Sequence, residues 1–465
     1  MMTGEVLLEK LKSYVGQDFV LTDSDLSDRY EHIWRMDQGL QAIAVVLPST
    51  TEELSKVLNV CHAHDQSIVM HGGLTNLVGS TITRKEDIVV SMERMKNIEE
   101  VDPASRTITV QAGVILQNIH EAVDEFDLMF PLNFGAKGTA QIGGILSTNA
   151  GGLRVFKYGM TRQLVLGVEA VLADGTIISS MKKIIKDNSA YDLKQLFIGS
   201  EGSLGVISRV VLKLIEKPRS RNSALVGLND YENVVHLLKH MDGGLAGNLS
   251  GYELMWPNFY HGATSSPSLV SAPLQGNYSY YVLLESLGAD QEGDQTKLEA
   301  LLEGAMAKGL IEDAVLAQSE SDLNWFWTIR EDVHVIKSKV TIDQHFDVSL
   351  PIPLIGDYVK DVSERLEQLE GVEKVYQFGH IADGNIHFIV GKLNHEDALR
   401  ESINNIVYGP LKEMGGSVSA EHGIGEDKKA YLELCRSEAE INLMKVLKKA
   451  LDPKSILNRG KVFDH

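Results

Sequence analysis

Three glycine-rich loops, each beside a β-strand pattern, precede Lys217 and constrain this chain more than any other feature. The longest is FPLNFGAKGTAQIGGILSTNAGGL, residues 130–153. It carries Gly135, Gly138, Gly143, Gly144, Gly151 and Gly152, with Gly159 just beyond. Ordered glycine costs backbone entropy, so such a cluster marks positive φ angles or a ligand lying against the backbone. Backbone N–H groups unshielded by side chains suit an anion, above all a pyrophosphate. A tight-turned, solvent-covered loop is the bland alternative, and taken alone the stretch does not decide between them.

The other two loops decide it. An apolar run at 42–47 closed by Pro48 predicts a buried strand. Ser49 then reads as the N-cap of a helix, with Glu52 completing a capping box. That helix carries Cys61, His62 and His64, too few ligands for a metal site and better read as a solvated helix end. A strand at 67–70 runs straight into His71-Gly72-Gly73-Leu74-Thr75-Asn76-Leu77-Val78-Gly79-Ser80. The spacing lacks both the G-K-S/T of a P-loop and G-x-G-x-x-G, so neither an NTPase nor a Rossmann site is supported. Strands are expected at 87–91 and 107–111 and a helix at 114–126. Strands at 165–172 and 176–179 flank Asp174-Gly175, a hairpin turn. The third cluster, Gly199-Ser200-Glu201-Gly202-Ser203-Leu204-Gly205, leads into a strand at 206–214, and Lys217-Pro218 reads as a domain boundary. Three such loops argue for one extended ligand with a pyrophosphate.

At 465 residues the chain is too long for a single core. Its 44 Lys and Arg stand against 64 Asp and Glu, and a net charge of −20 disfavours nucleic acid or an anionic membrane as partner. No apolar run approaches the roughly 18 residues a membrane helix needs. The first residues show helical spacing over 5–15 and neither a signal-peptide nor a transit composition. With only Cys61 and Cys435, no disulfide framework is implied, and a cytoplasmic location is expected.

Past residue 219 the chemistry changes. A strand is expected at 278–286, and helices at 294–308 and 322–339. The last contains Trp325, Phe326 and Trp327, read as core, and Arg330, a candidate for holding a carboxylate bidentately. The competing reading of Arg330 is a surface ion pair with Glu331 or Asp332. FGHIADGNIHF, residues 378–388, reads as strand, turn, strand, bringing His380 and His387 near one mouth. Two imidazoles and a carboxylate form a common divalent-metal shell, and Glu421, in SAEHGIG, is the candidate acid.

The loop GGLTNLVGS, the stretch PLNFGAKGTAQIGGILSTNAGGLRVFKYG and the segment DLKQLFIGSEGSLGVI resemble the FAD-binding domain of the vanillyl-alcohol-oxidase flavoprotein superfamily. Within it the chain is similar to the D-2-hydroxyacid dehydrogenases, which act on D-lactate, D-2-hydroxyglutarate or glycolate, from about Tyr30 to Phe463. The resemblance implies an α+β fold: an FAD-binding domain over 1–218, an antiparallel-sheet cap over 219–410 and a helical C-terminal segment over 411–465. It places FAD against Gly72, Gly73, Thr75, Asn76, Leu77, Val78, Gly79 and Ser80. Pro131, Gly138, Thr139, Gly143, Gly144, Asn149, Gly152 and Tyr158 continue the set, followed by Gly202, Gly205, Ile207 and Asn458, with Lys461 nearby. Covalent members attach flavin through a His after the paired Gly. Leu74 stands there, so non-covalent FAD is expected. Asn76 and Ser80 replace glycines, and Asn76 is expected to tolerate positive φ.

The same resemblance makes His380, His387 and Glu421 ligands of Zn²⁺ or Mn²⁺, His422 the general base and Arg330 the holder of the substrate carboxylate. Where the 2-hydroxyglutarate enzymes have Thr, Lys and Asn, this chain has His334, His345 and Ile389. Ile389 removes a polar contact to a distal carboxylate and resembles the D-lactate type, whereas His334 and His345 add titratable donors or point away. The expectation is metal-assisted oxidation of a small D-2-hydroxy acid with hydride transfer to FAD. Electrons would pass on to an electron-transfer flavoprotein, quinone or cytochrome, and a homodimer is expected. The alternatives are an O₂-using flavin oxidase, a metallohydrolase and a catalytically silent flavin-binding subunit.

Overall fold

A computed structural model describes residues 4–34, 36, 39–265 and 272–464, and the chain divides into two compact units. One comprises Met1–Gly152, Tyr158–Lys217 and Glu421–His465; the other comprises Leu153–Lys157 and Pro218–Ala420.

In the first unit, short β-branched runs form two sheets. β1 (Val20–Leu21), β2 (Ala44–Val46), β3 (Ile68–His71) and β4 (Ile88–Ser91) make a four-stranded sheet of order β1-β2-β4-β3. β4 runs parallel to β2 and β3, which the helix Thr51–Ala63 connects. Such a crossover covers one face, which explains why Ala44, Val46, Ile68, Ile88 and Val90 are all buried. β5 (Ile98–Asp102), β6 (Thr107–Gln111), β8 (Val165–Val171), β9 (Ile177–Ser180) and β10 (Val206–Lys213) form a five-stranded antiparallel sheet of order β5-β6-β10-β8-β9. β7 (Leu128–Met129) pairs with β11 (Ile215–Glu216). The segment after residue 421 ends in the helix Glu438–Leu451 and returns to β3, where Ile68 N–H donates to Ile456 O.

The second unit is built on one antiparallel sheet. Its strands are β12 (Ser220–Leu228), β13 (Leu249–Met255), β14 (Tyr280–Gly288), β15 (Asp313–Leu316), β16 (Ile342–Ser349), β17 (Val372–His380) and β18 (Asn385–Lys392), in the order β15-β12-β14-β13-β17-β18-β16. Alternation assigns the site. Glu253 pairs with His380, Met255 with Phe378, Phe378 with His387, and His387 with Asp347, so all six side chains share one face. One step along, Tyr376, Ile389 and His345 form the neighbouring row of that face. Its apolar part, Met255, Leu283, Phe378, Tyr376 and Ile389, packs under Phe259, Tyr260, Phe326 and Trp327 from the helices Pro257–Thr264 and Glu320–Glu331. Each such aromatic contributes about 1.5–3 kcal/mol by leaving water.

The fold is α+β, and the hairpin at Asp174-Gly175 joins antiparallel β8 and β9. Two local expectations fail. The cap of the helix Thr51–Ala63 is Thr50, whose hydroxyl accepts from Glu53 N–H, one residue beyond the Ser49 expected. Ser49 instead donates its N–H and hydroxyl to the Glu53 carboxylate. The helix expected over 322–339 breaks at Asp332, whose side chain caps a second helix, Val333–Lys337, by accepting from Val335 N–H. A carboxylate that can bond the backbone locally competes with helix continuation, and here it wins.

Candidate functional site

In the first unit β3 delivers its last residue, His71, into the loop of paired glycines. His71 is buried, bonded through Nε2 to Thr81 O, and desolvation pushes its pKa down to about 4. Among the described residues, no backbone N–H from Gly72 to Leu77 meets a hydrogen-bond acceptor. Six consecutive unused donors make a ready anion site. The glycines divide by purpose. A Cβ on Gly73 would lie 2.2 Å from Thr139 O, so Gly73 is there to let two loops touch. A Cβ on Gly138 or Gly144 would meet nothing within 4 Å, so those backbones face open space. The side-chain amide oxygen of Gln141, beside Gly72, is buried with no hydrogen-bond partner among the described residues. Open backbone, unused donors and an orphaned acceptor fit an FAD cradle.

Asn76 and Ser80 do not adopt positive φ; Leu74 and Gly79 do, at 55° and 71°. Asn76 Oδ1 instead accepts from Val78 N–H and Ser80 N–H, while its amide donates to His422 O at 3.4 Å. At Asn76, polar bonds rather than backbone freedom therefore shape the loop. Val78 and Ile207 are buried in the core, and a Cβ on Gly205 would meet the Phe197 ring. Asn149 is left-handed and accepts from Arg162 N–H. Glu201, which the sequence reading left without a role, is the knot of the unit. Its buried carboxylate accepts from the Ser80 hydroxyl, Ile424 N–H and Gly425 N–H at 2.7, 2.7 and 2.9 Å. Burial raises its pKa against those three bonds. Asn458 accepts from Met70 N–H and donates to Glu201 O, and buried Lys461 donates to Gly79 O and Ile82 O. Both residues hold loops together. Glu421 reaches the glycine stretch: a Cβ on Gly151 would be 2.7 Å from its Oε1.

In the second unit each imidazole of the hairpin faces a buried carboxylate on the adjacent strand. His380 Nδ1 is 2.7 Å from Glu253 Oε1, and His387 Nδ1 is 3.8 Å from Asp347 Oδ1. The rings stand at 87° with centroids 5.3 Å apart. The turn between them is a 3₁₀ turn, Ile381–Asp383, closed by Gly384 at φ 84°, rather than the tightest two-residue hairpin. Asp347 also accepts from the Asn385 amide at 2.7 Å and Ala420 N–H at 3.1 Å.

Arg330 is buried at 4% exposure and pairs with neither Glu331 nor Asp332; its Nη2 lies 2.8 Å from Glu253 Oε2, and its guanidinium stacks over Phe378 at 4.6 Å. The approach to Glu253 is off the N–H axis. Nε and Nη2, the two donors of one guanidinium edge, make no hydrogen bond among the described residues. Although burial opposes it, His380 and Arg330 hold Glu253 below the usual carboxylate range. His345 bonds Asp343 at 2.5 Å, with Lys337 also on that carboxylate, and His334 lies in the short helix after Asp332. Ile389 is fully buried in the aromatic cluster.

The sequence reading missed Glu253, Asp347, Glu201 and Gln141. For Glu253 a signal existed: a lone acid inside the apolar strand LSGYELM must be buried, and a buried charge requires a partner.

Residues 217–462 match the family described as FAD linked oxidases, C-terminal domain, and residues 42–180 match the FAD binding domain. The chain belongs to the FAD-linked oxidase family. Its relatives place it in the D-2-hydroxyacid dehydrogenase branch, as an FAD-dependent oxidoreductase. It is 35% identical to the mitochondrial D-2-hydroxyglutarate dehydrogenase of Arabidopsis thaliana, over 98% of this chain and 81% of that one. A Schizosaccharomyces pombe protein provisionally named a mitochondrial D-lactate dehydrogenase is 36% identical over 97% and 88%. The D-2-hydroxyglutarate dehydrogenase of Stutzerimonas stutzeri is 31% identical over 99% and 100%. Among solved structures, p-cresol methylhydroxylase shares the fold of this FAD-linked oxidase with a TM-score of 0.75, 15% identity and coverage of 99% and 97%. Alkyldihydroxyacetonephosphate synthase does so with a TM-score of 0.75, 16% identity and coverage of 98% and 86%.

Proposed function

We propose that this FAD-linked oxidase removes hydride from the α-carbon of a small D-2-hydroxy acid, D-lactate-like in size, to give the 2-oxo acid. The observation that carries the reading is the orphaned edge of Arg330. Two parallel donors, buried and making no aligned hydrogen bond although Nη2 is ion-paired with Glu253, match a carboxylate bidentately, and leaving such donors poorly met costs about 1–3 kcal/mol that a substrate carboxylate recovers. His422 accepts the hydroxyl proton, the general-base role that imidazole most often fills. His380, His387 and Glu421 would hold a divalent ion, Zn²⁺ or Mn²⁺, which lowers the pKa of a bound hydroxyl. Two imidazoles with carboxylates at Nδ1 fit that donor set, because such partners orient ligating histidines. Bound FAD, held non-covalently since Leu74 offers no attachment, supplies the hydride acceptor. The electrons then go to an electron-transfer flavoprotein, quinone or cytochrome.

The preference for a short acid rests on Ile389, which is buried and apolar, and on His345, already engaged by Asp343. Several relatives bear 2-hydroxyglutarate in their names, so that acid is the competitor to test. Anaerobic mixing of the yellow protein with D- and L-lactate and D- and L-2-hydroxyglutarate, followed by loss of flavin colour, decides the matter. D-lactate should bleach it fastest. Faster bleaching by D-2-hydroxyglutarate would reverse the size preference, and bleaching by none would remove the activity.

A further inference from the structure

Glu253 stands directly across from His380 on β13, is almost fully buried, and divides its carboxylate between two groups. Oε1 receives the His380 Nδ1 contact at 2.7 Å, and Oε2 lies 2.8 Å from Arg330 Nη2. The apolar ring of Phe378 lies under the guanidinium, and Leu283 is the cross-strand neighbour of Glu253 on the other side. A carboxylate in such surroundings exists only because of its two partners.

Resting on the function proposed above, we infer that Glu253 is a positioning residue that couples the metal-binding imidazole to the substrate-binding guanidinium. Oε1 fixes His380 as the Nδ1–H tautomer, so the lone pair sits on Nε2. Oε2 holds the Arg330 head sideways, and this keeps the Nε/Nη2 edge from collapsing into a direct bidentate pair with Glu253. One carboxylate thereby sets the orientation of both groups. Its loss loosens both at once, and metal affinity and carboxylate affinity fall together. The charge count agrees. Glu253 offsets the guanidinium, so the buried pair is nearly neutral before substrate arrives, and a monocarboxylate adds one negative charge to a site that would also hold a dication.

The test uses the full-length, flavin-loaded protein and Mn²⁺ itself, titrated by the loss of the free-ion electron paramagnetic resonance signal. Glu253→Gln keeps shape and an acceptor at Oε1 but turns an NH₂ toward Arg330. The expected result is an Mn²⁺ affinity lower by about 10- to 100-fold, the range found when a histidine loses its orienting partner. A rise in KM for the 2-hydroxy acid should accompany it, with flavin content and thermal midpoint near those of the wild type. Glu253→Asp, which restores the charge at a shorter reach, should recover part of the affinity, and it serves as the readout if Glu253→Gln loses flavin. Wild-type Mn²⁺ affinity in both variants would overturn the coupling alone. Failure of the wild type to take up Mn²⁺ or Zn²⁺ would overturn the metal reading and the coupling with it. Weakened Mn²⁺ binding with KM unchanged would overturn the link to Arg330.

Discussion

His71 shows how one buried side chain gives the protein a pH dependence. Folded, its pKa is about 4; unfolded, it returns to about 6.5. Between those values the unfolded chain binds a proton that the folded one does not. Stability therefore rises with pH across that window and is lost as pH falls through it, by at most about 3 kcal/mol. His71→Gln, which can still donate to Thr81 O, should flatten the thermal midpoint between pH 4 and 6.5; an unchanged slope would place the dependence elsewhere. His422→Ala should retain flavin yet lose at least about 100-fold in the rate of flavin reduction by substrate, measured by stopped flow. His380 and His387 were legible in the sequence because a short hairpin between apolar strands forces both onto one mouth. Glu253 was not, because its partners are 127 and 77 residues away and only the sheet order brings them together.

At the scale of elements, the glycine loops hold two kinds of glycine that no sequence pattern separates. Gly73→Ala drives a Cβ into Thr139 O and should cost about 1–3 kcal/mol of stability, read as a lower thermal midpoint even without flavin. Gly144→Ala lies in the helix Ile142–Thr148, where alanine is favoured, and its Cβ meets open space. Its apo midpoint should hold or rise while FAD affinity drops; unaltered FAD binding would mean that this backbone does not face the cofactor. The loops were visible from composition, but the division was not, because it depends on which loop crosses which. The same holds at Asp332. Helical spacing over 322–339 predicts one helix, and a single side-chain bond to Val335 N–H divides it. The cap of the helix Thr51–Ala63 moved by one residue for a similar reason, since Ser49 and Thr50 both offer a hydroxyl and only the backbone entry angle selects between them.

For the molecule as a whole, a net charge of −20 acts on an anionic substrate before any contact is made. Repulsion grows with substrate charge and salt screens it. Between about 20 and 200 mM salt, kcat/KM for D-2-hydroxyglutarate should therefore rise more than for D-lactate. Equal responses in steady-state assays would show that a local positive field outweighs the net charge. The first unit is also assembled from three separate stretches of chain, and its loops are fastened by Ile424, Gly425, Asn458 and Lys461. During translation those fasteners leave the ribosome after every strand of both units. Flavin thus meets a finished cradle only after residue 461 has cleared the ribosome.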